Sequence, residues 1–389
     1  MIRLDINFII EAYLLNAGII TNKKYAKYEP YLLIALAINA LIYIGFVSHA
    51  LLNTQISRDR ILLACYLVGV STYYVLQYIT RINKPRLMYL INELRRNLSG
   101  ETIISTSTRR IMQKKFKPIL KALLTVTASI FSAPAISFFL TDKNRPNDPN
   151  FFLLMNSITF WKVNSGLGVI IKNLFHIWLT VPGTFCYLCS TVLIAYITSN
   201  LEAHIDQIQI KFQSMFQENP LHSEITSKQR DELLKNEVRS MIERLQYLYK
   251  YSKTLTGYVE WTAHTCLFWF MDGLILILHV LIHLDDFDLA VFSKNIAILG
   301  LVLLQFYICC NITESLSHLN ENLLFAMYNS DWHQISPEIR KTLLTMMIHW
   351  QNPLEIRLFN MYITNMGLFG RCFRIIYSVL NVTSRVFRR

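Results

Sequence analysis

The strongest constraint on this chain is a set of seven apolar runs, each near the length a helix needs to cross a bilayer. A spanning helix takes about 20 mostly apolar residues to traverse roughly 30 Å of hydrocarbon. Tyr31 to Asn53 reads YLLIALAINALIYIGFVSHALLN, and Ile61 to Thr80 reads ILLACYLVGVSTYYVLQYIT. Further runs occupy 118–140, 168–197, 263–284, 292–312 and 358–387. Charge is depleted and collected between the runs: 16% of residues are charged, against about a quarter in a soluble domain. Lipid offers no partner to backbone amides, so runs of this length must satisfy their own hydrogen bonds as helices. The expected fold class is therefore all-α, a seven-transmembrane-helix membrane protein. No leader with a small-residue cleavage site precedes the first run, which is then expected to direct insertion as well.

Lysine and arginine set the orientation. With the N-terminus inside, segments 1–29, 81–117, 198–262 and 313–357 are cytoplasmic and hold 25 of these residues, whereas the outer segments hold 9. The bias predicts a cytoplasmic N-terminus and, after seven spans, an extracellular C-terminus. It also accounts for most of the +12 net charge, which is no sign of nucleic-acid binding.

The division expected along the chain is a cytoplasmic N-terminus over 1–30, then helices 1–4 over 31–197 with an outer loop at 141–167. A cytoplasmic helical extension follows over 198–262, then helices 5–6 over 263–312, an anchor segment over 313–357 and a seventh helix over 358–389. The inner connections are long and helical in pattern. Leu234, Val238, Met241, Leu245, Leu248, Ser252 and Leu255 recur in 4-3 steps and draw a seam down one helix face, as in helix bundles. Another helix is predicted from Ser336-Pro337-Glu338, with serine as cap and proline in the first turn. It buries Ile339, Leu343, Met346 and Trp350 and breaks at Asn352-Pro353. Together these segments predict a packed cytoplasmic platform.

Chemistry-bearing motifs are sparse. The chain has no His-Glu-x-x-His helix, P-loop, Gly-x-Ser-x-Gly elbow or dinucleotide-binding glycine fingerprint, so no enzyme, cofactor or metal centre is expected. His279 and His283 lie one helical turn apart with Asp285, Asp286 and Asp288 beyond them. That grouping reads either as a metal site or as an interfacial helix end before a solvated loop. All seven cysteines fall within the runs, which implies no disulfide framework. Asp272 sits mid-span, where an ionisable group either lines a wet cavity or bonds a neighbouring helix.

In the C-terminal third, Phe325, Tyr328 and Trp332 form a Phe-x-x-Tyr-x-x-x-Trp segment, and Gln351 and Pro353 form a Gln-x-Pro. In this order they resemble the signature of the insect odorant receptor family. Phe373 to Ser378 approximates the closing run, with Arg374 where the family carries lysine and Tyr377-Ser378 intact. His349-Trp350 and Gly370-Arg371 depart from the pattern. The Thr-Tyr-five-residue-Gln-Phe motif of the related gustatory receptors is missing from the last run.

That resemblance implies an odorant-gated, non-selective cation channel in the plasma membrane of a sensory neuron dendrite. Four subunits, this chain and a shared co-receptor subunit among them, would meet through the platform, with Phe325, Tyr328, Trp332, Trp350, Gln351 and Pro353 as subunit anchors. The seventh helix of each would line the pore. On it Tyr377, Leu380, Ser384 and Phe387 form one stripe, with Leu380 implied as the gate; the adjacent stripe of Ile376, Val379, Thr383 and Val386 suits a pore about as well. Arg371 and Arg374 fit the cytoplasmic mouth. In the family the ligand sits in the outer half of the membrane. This implicates Tyr66, Val70, Tyr73, Tyr74, Phe131, Phe138, Phe175, Trp178, Leu179, Ile298 and Val302. Aromatic walls with a few hydroxyls suit a small, apolar, volatile ligand. Pro134 and Pro182 interrupt helical hydrogen bonding at that depth. The alternatives are a gustatory-type channel, a metabotropic receptor, or a membrane transporter or enzyme. The metabotropic reading lacks an Asp-Arg-Tyr after the third run and an Asn-Pro-x-x-Tyr in the last, and the transporter lacks an inverted repeat.

Overall fold

The computed structural model describes the backbone of residues 10–11, 13–15, 17, 19–21, 25–53, 57–99, 121, 166–215, 227–282, 289–330, 332–334, 336–352, 355–358 and 361–387. A 3-10 turn at Ala26–Tyr28 leads into α1 (Glu29–Asn53), followed by α2 (Ser57–Ile82), α3 (Lys84–Ser99), α4 (Gly166–Met215), α5 (Ser227–Ile282) and α6 (Leu289–Tyr328). A second 3-10 turn at Trp332–Gln334 precedes α7 (Pro337–Trp350). A small antiparallel hairpin, β1 (Arg357–Leu358) with β2 (Tyr362–Ile363), then leads to α8 (Met366–Phe387).

The lengths follow from the two environments that each helix serves. α4, α5 and α6 have 50, 56 and 40 residues, which at 1.5 Å per residue is about 75, 84 and 60 Å. Each exceeds the hydrocarbon thickness, so each combines an apolar half with a polar half that runs on into the platform. Span and extension are one continuous helix where the sequence suggests two elements, and Pro182 lies inside α4 without ending it. Among the residues whose side chains are described, no helix is long and apolar enough to cross a membrane. The most apolar stretches, such as 166–188 and 275–299, fall outside that set. The third run and the 141–165 stretch, with Phe131, Phe138 and Pro134, also lie outside the described residues, Lys121 excepted.

At the platform end, the α5 seam is buried as its spacing demands. Val238, Met241, Leu245, Leu248, Ser252 and Leu255 are sealed from solvent, and Leu234 is half-buried. Val238, Met241, Leu245, Leu248 and Leu255 share one core with Leu201, Ile205, Ile208 and Phe212 of α4 and Leu87, Leu90, Ile91 and Leu94 of α3. The seam is therefore an intramolecular bundle. The N-terminal segment enters the same core: Ile10, Tyr13, Leu14, Ala17 and Ile19 are buried. The Tyr13 hydroxyl lies 2.8 Å from Thr80 Oγ1 of α2 and 3.0 Å from the Tyr258 hydroxyl of α5. Nothing in the spacing of residues 1–30 marks this docking.

α7 starts at Pro337, in the first-turn position where a missing N–H costs nothing. Ser336 takes the cap position, but its side chain makes no capping bond. The buried face is Ile339, Leu343, Met346 and Trp350, joined by Met347. The seventh run differs from expectation: its first residues form the hairpin. Ile356 and Leu358 are buried in the platform core, and the Thr364 N–H donates to the Ile356 carbonyl at 2.9 Å. Once these side chains are committed to the platform, the helix can begin only at Met366. Its 22 residues span about 33 Å, still enough to cross a bilayer.

Candidate functional site

α8 has two distinct faces. Leu368, Cys372 and Ile376, at i, i+4 and i+8, are buried against α5 and α6, and Val379 continues that face half-buried. An aromatic cluster locks this junction. Phe270 of α5 stacks on Phe306 of α6 at 4.2 Å between centroids, and Phe369 of α8 lies 5.7 Å from Phe306 and 4.9 Å from Phe373. Tyr377 is 69% exposed and Val382 62% exposed. Gly370, Arg374, Ser378 and Asn381 also face away from the chain's own bundle. Of the two stripes that the sequence leaves open, Ile376 and Val379 of one are therefore turned inward, and Tyr377 of the other is turned outward. The side chains of Leu380 and Ser384 lie outside the described set.

The start of α8 is held by three acceptors. Asn365 Oδ1 accepts the Leu368 N–H at 2.8 Å, and the Asn365 carbonyl accepts the Phe369 N–H at 3.2 Å. The Met366 N–H donates to Glu314 Oε2 of α6 at 2.8 Å. Sequence reasoning missed Glu314 and the Phe270, Phe306 and Phe369 cluster. Only the Asn365-x-x-Leu368 spacing, an N-cap pattern, offered a signal.

Of the residues expected to touch ligand, three have described side chains. Tyr73 is buried, its hydroxyl accepts a hydrogen bond from Gln77 of the next turn, and its ring lies 4.9 Å from that of Tyr74. Val302 is buried at the α5 contact, where a Cβ added to Gly273 would meet its Cγ2 at 3.8 Å. Tyr66, Val70, Phe175, Trp178, Leu179 and Ile298 belong to α2, α4 and α6, but their side chains lie outside the described set. Phe131 and Phe138 lie wholly outside it.

The expected anchor residues separate. Phe325 and Tyr328 are 66% and 70% exposed at the end of α6, and Gln351 is exposed. Trp332 packs partly against the core. Trp350 is 1% exposed within its own chain, so its bulk fills this platform and presents no surface. Its carbonyl accepts from Asn320 Nδ2 at 2.6 Å. Pro353 lies outside the described residues.

A polar network runs through the platform. The Tyr247 hydroxyl donates to Glu93 Oε2 at 2.7 Å, and Arg96 donates to Glu93 Oε1 at 3.1 Å. Arg244 donates to Gln207 Oε1 at 2.7 Å and approaches His204 Nδ1 at 3.4 Å. Burial, reinforced by the bond to Glu93, raises the Tyr247 pKa, and burial raises that of Tyr251. Burial and then the Arg244 cation pull His204 down to about 4. Each shift fixes its group in one form at neutral pH, which suits a structural network. Among the described residues no cluster of metal-ligating side chains occurs, and Cys189, Cys266, Cys309, Cys310 and Cys372 are free and buried.

Long helices that join an apolar bundle to a helical platform, closed by a two-faced terminal helix, define the architecture of a multispan membrane protein. The family described as 7tm odorant receptor matches residues 62–377, and this chain belongs to that family. Its fold is also that of the insect olfactory receptor OR5 from Machilis hrabei, at a TM-score of 0.71 and 12% identity, covering 98% of this chain and 97% of that one. The same receptor in complex with eugenol matches at a TM-score of 0.70 and 12% identity, covering 98% of each chain. No curated protein matches by sequence. The chain is thus an odorant receptor and a membrane protein.

Proposed function

We propose that this receptor is the tuning subunit of an odorant-gated, non-selective cation channel, and that α8 forms its share of the pore wall. The observation that carries this is the two-faced character of α8. One face packs on α5 and α6 through Leu368, Cys372, Ile376 and the Phe270–Phe306–Phe369 cluster. The other leaves Arg371, Arg374, Tyr377, Ser378, Asn381 and Val382 uncovered by the chain itself. Against lipid, that mixed polar face would be costly. Around a shared axis in a four-subunit assembly it would meet water and ions. Arg371 and Arg374 stand at the cytoplasmic mouth, and Leu380 closes the path by dewetting. The N-terminus is inside and the C-terminus outside. The partner is a co-receptor subunit, met through Phe325, Tyr328, Trp332 and Gln351, in the dendrite of a sensory neuron.

The ligand is a small, apolar volatile in the outer half of the bundle, held by shape and dispersion and by one or two hydroxyls. Tyr73 and Tyr74 with Val302 form the described part of that wall. Tyr66, Val70, Phe131, Phe138, Phe175, Trp178, Leu179 and Ile298 complete it. The eugenol-bound OR5 shares the fold, and eugenol is an aromatic molecule of this size class. Gating is a population shift: a ligand that fits the open arrangement better draws the α8 helices outward.

The test is whole-cell current during a panel of volatile aromatics, eugenol among them, with the chain expressed alone and with an insect co-receptor subunit while G-protein signalling is blocked. A fast cation current that needs both subunits is expected. A response abolished by the G-protein block would make the receptor metabotropic and the pore assignment wrong.

A further inference from the structure

We infer that Glu314 is the positioning residue that couples α6 to the pore helix: its carboxylate holds the first amide of α8 and carries motion of α6 to the base of that helix. This rests on the reading of α8 as pore wall.

The local geometry makes the case. The first amides of a helix have no intrahelical acceptor. In α8 the Leu368 N–H is taken by the Asn365 side chain, whereas the Met366 N–H points across the interface to Glu314 Oε2 at 2.8 Å. An anion at this end is favoured by the helix dipole as well as by the charge-assisted bond. Glu314 lies two residues past the sixth apolar run, and its side chain is 36% exposed. Its second oxygen lies 3.8 Å from His318 Nε2 on the next turn, and His318 Nδ1 is 3.4 Å from Glu321. His318 is largely exposed, so water screens that pair. Above this point α6 and α8 touch through Phe306, Tyr307 and Phe369, ring contacts that are less directional than a hydrogen bond. The Glu314 bond is directional. It fixes the height and tilt of the helix start, so displacement of α6 is transmitted and not dissipated in the aromatic contact.

The experiment removes each end of the bond separately. Glu314→Ala deletes the acceptor, and Glu314→Gln keeps an oxygen but not the charge. Met366→Pro deletes the donor N–H, in a first-turn position where proline suits the helix. Each is expressed with the co-receptor subunit, and ligand-evoked current is divided by surface-labelled subunit, using the odorant with the largest wild-type response. A hydrogen bond to a charged group shifts an equilibrium by about tenfold. Glu314→Ala and Met366→Pro should therefore each lower maximal current per surface subunit by about tenfold, Glu314→Gln by less, and the double variant by no more than either alone. A merely structural role would lower surface number and leave current per subunit intact. Wild-type current per subunit in Glu314→Ala, or single-variant losses that multiply in the double variant, would overturn the proposal while leaving the channel reading standing. A wild type with no gated current in the presence of its co-receptor would overturn both.

Discussion

Asn320 offers a clean probe of how the platform is tied to the spanning helices. It sits on α6, 1% exposed, and its Nδ2 donates to the Trp350 carbonyl at 2.6 Å and the Asn352 carbonyl at 3.3 Å. Trp350 closes α7, so its carbonyl is one of the last four in that helix and has no intrahelical donor. Asn320 therefore caps the C-terminus of α7 from another element. Each net bond contributes about 0.5–1.5 kcal/mol, and leaving a buried carbonyl unpartnered adds a desolvation cost, so Asn320→Ala should lose about 2–3 kcal/mol. Asn320→Asp should lose more, because it supplies no donor while ionised and sets a carboxylate oxygen against two carbonyl oxygens. The assay is retention of a fluorescent fusion on size exclusion after heating in detergent. Unfolding of such a protein is irreversible, so the midpoints serve as a ranking. The alanine variant should fall by about 2–4 °C, with aspartate below it. An unchanged alanine variant, or aspartate at the wild-type midpoint, would refute the capping role.

Three further outcomes follow from the packing. Tyr13→Phe removes the hydroxyl that meets Thr80 and Tyr258 and should cost about 1–2 kcal/mol in the same heating assay, whereas Tyr13→Ala, which also opens a cavity, should cost about 3–5 kcal/mol. His204 has a folded pKa pulled from 6.5 to about 4, so the stability from its neutral form is complete above pH 6.5 and lost as pH falls toward 4. That loss is about 3 kcal/mol in all, and His204→Asn should flatten the decline between pH 7 and pH 5. Phe306→Leu keeps an apolar side chain but loses the ring contacts to Phe270 and Phe369, about 0.5–1.5 kcal/mol each. Its odorant dose–response curve should shift while the surface number of the receptor holds.

Much of the architecture is legible in the sequence because it rests on period and length. The α5 seam reads directly from its 4-3 steps, and the buried face of α7 from Ile339, Leu343, Met346 and Trp350, since a helix that must cover a core repeats its apolar residues every 3.6 positions. The unread parts depend on contacts between distant residues. Tyr13 meets Tyr258 across 245 positions and Glu314 meets Met366 across 52; neither pairing leaves a local pattern. The hairpin at 357–363 was hidden because Ile356 and Leu358 look the same whether they enter a membrane helix or plug a platform core. Trp350 was likewise ambiguous, since a large aromatic suits a core and an interface alike. The two stripes of α8 are both apolar enough to pack, and only the bundle around Ile376 separates them from Tyr377.

The measurement that tests the central claim most directly is cysteine accessibility on α8 during gating. Tyr377→Cys and Ile376→Cys would each be expressed with the co-receptor subunit and exposed to a cationic thiol reagent during odorant application. The account predicts that Tyr377→Cys is modified and its current changed, with modification faster when odorant is present, while Ile376→Cys stays protected by its own bundle. Current changed through Ile376→Cys, with Tyr377→Cys labelled but electrically silent, would contradict it and move the pore away from the exposed face of α8.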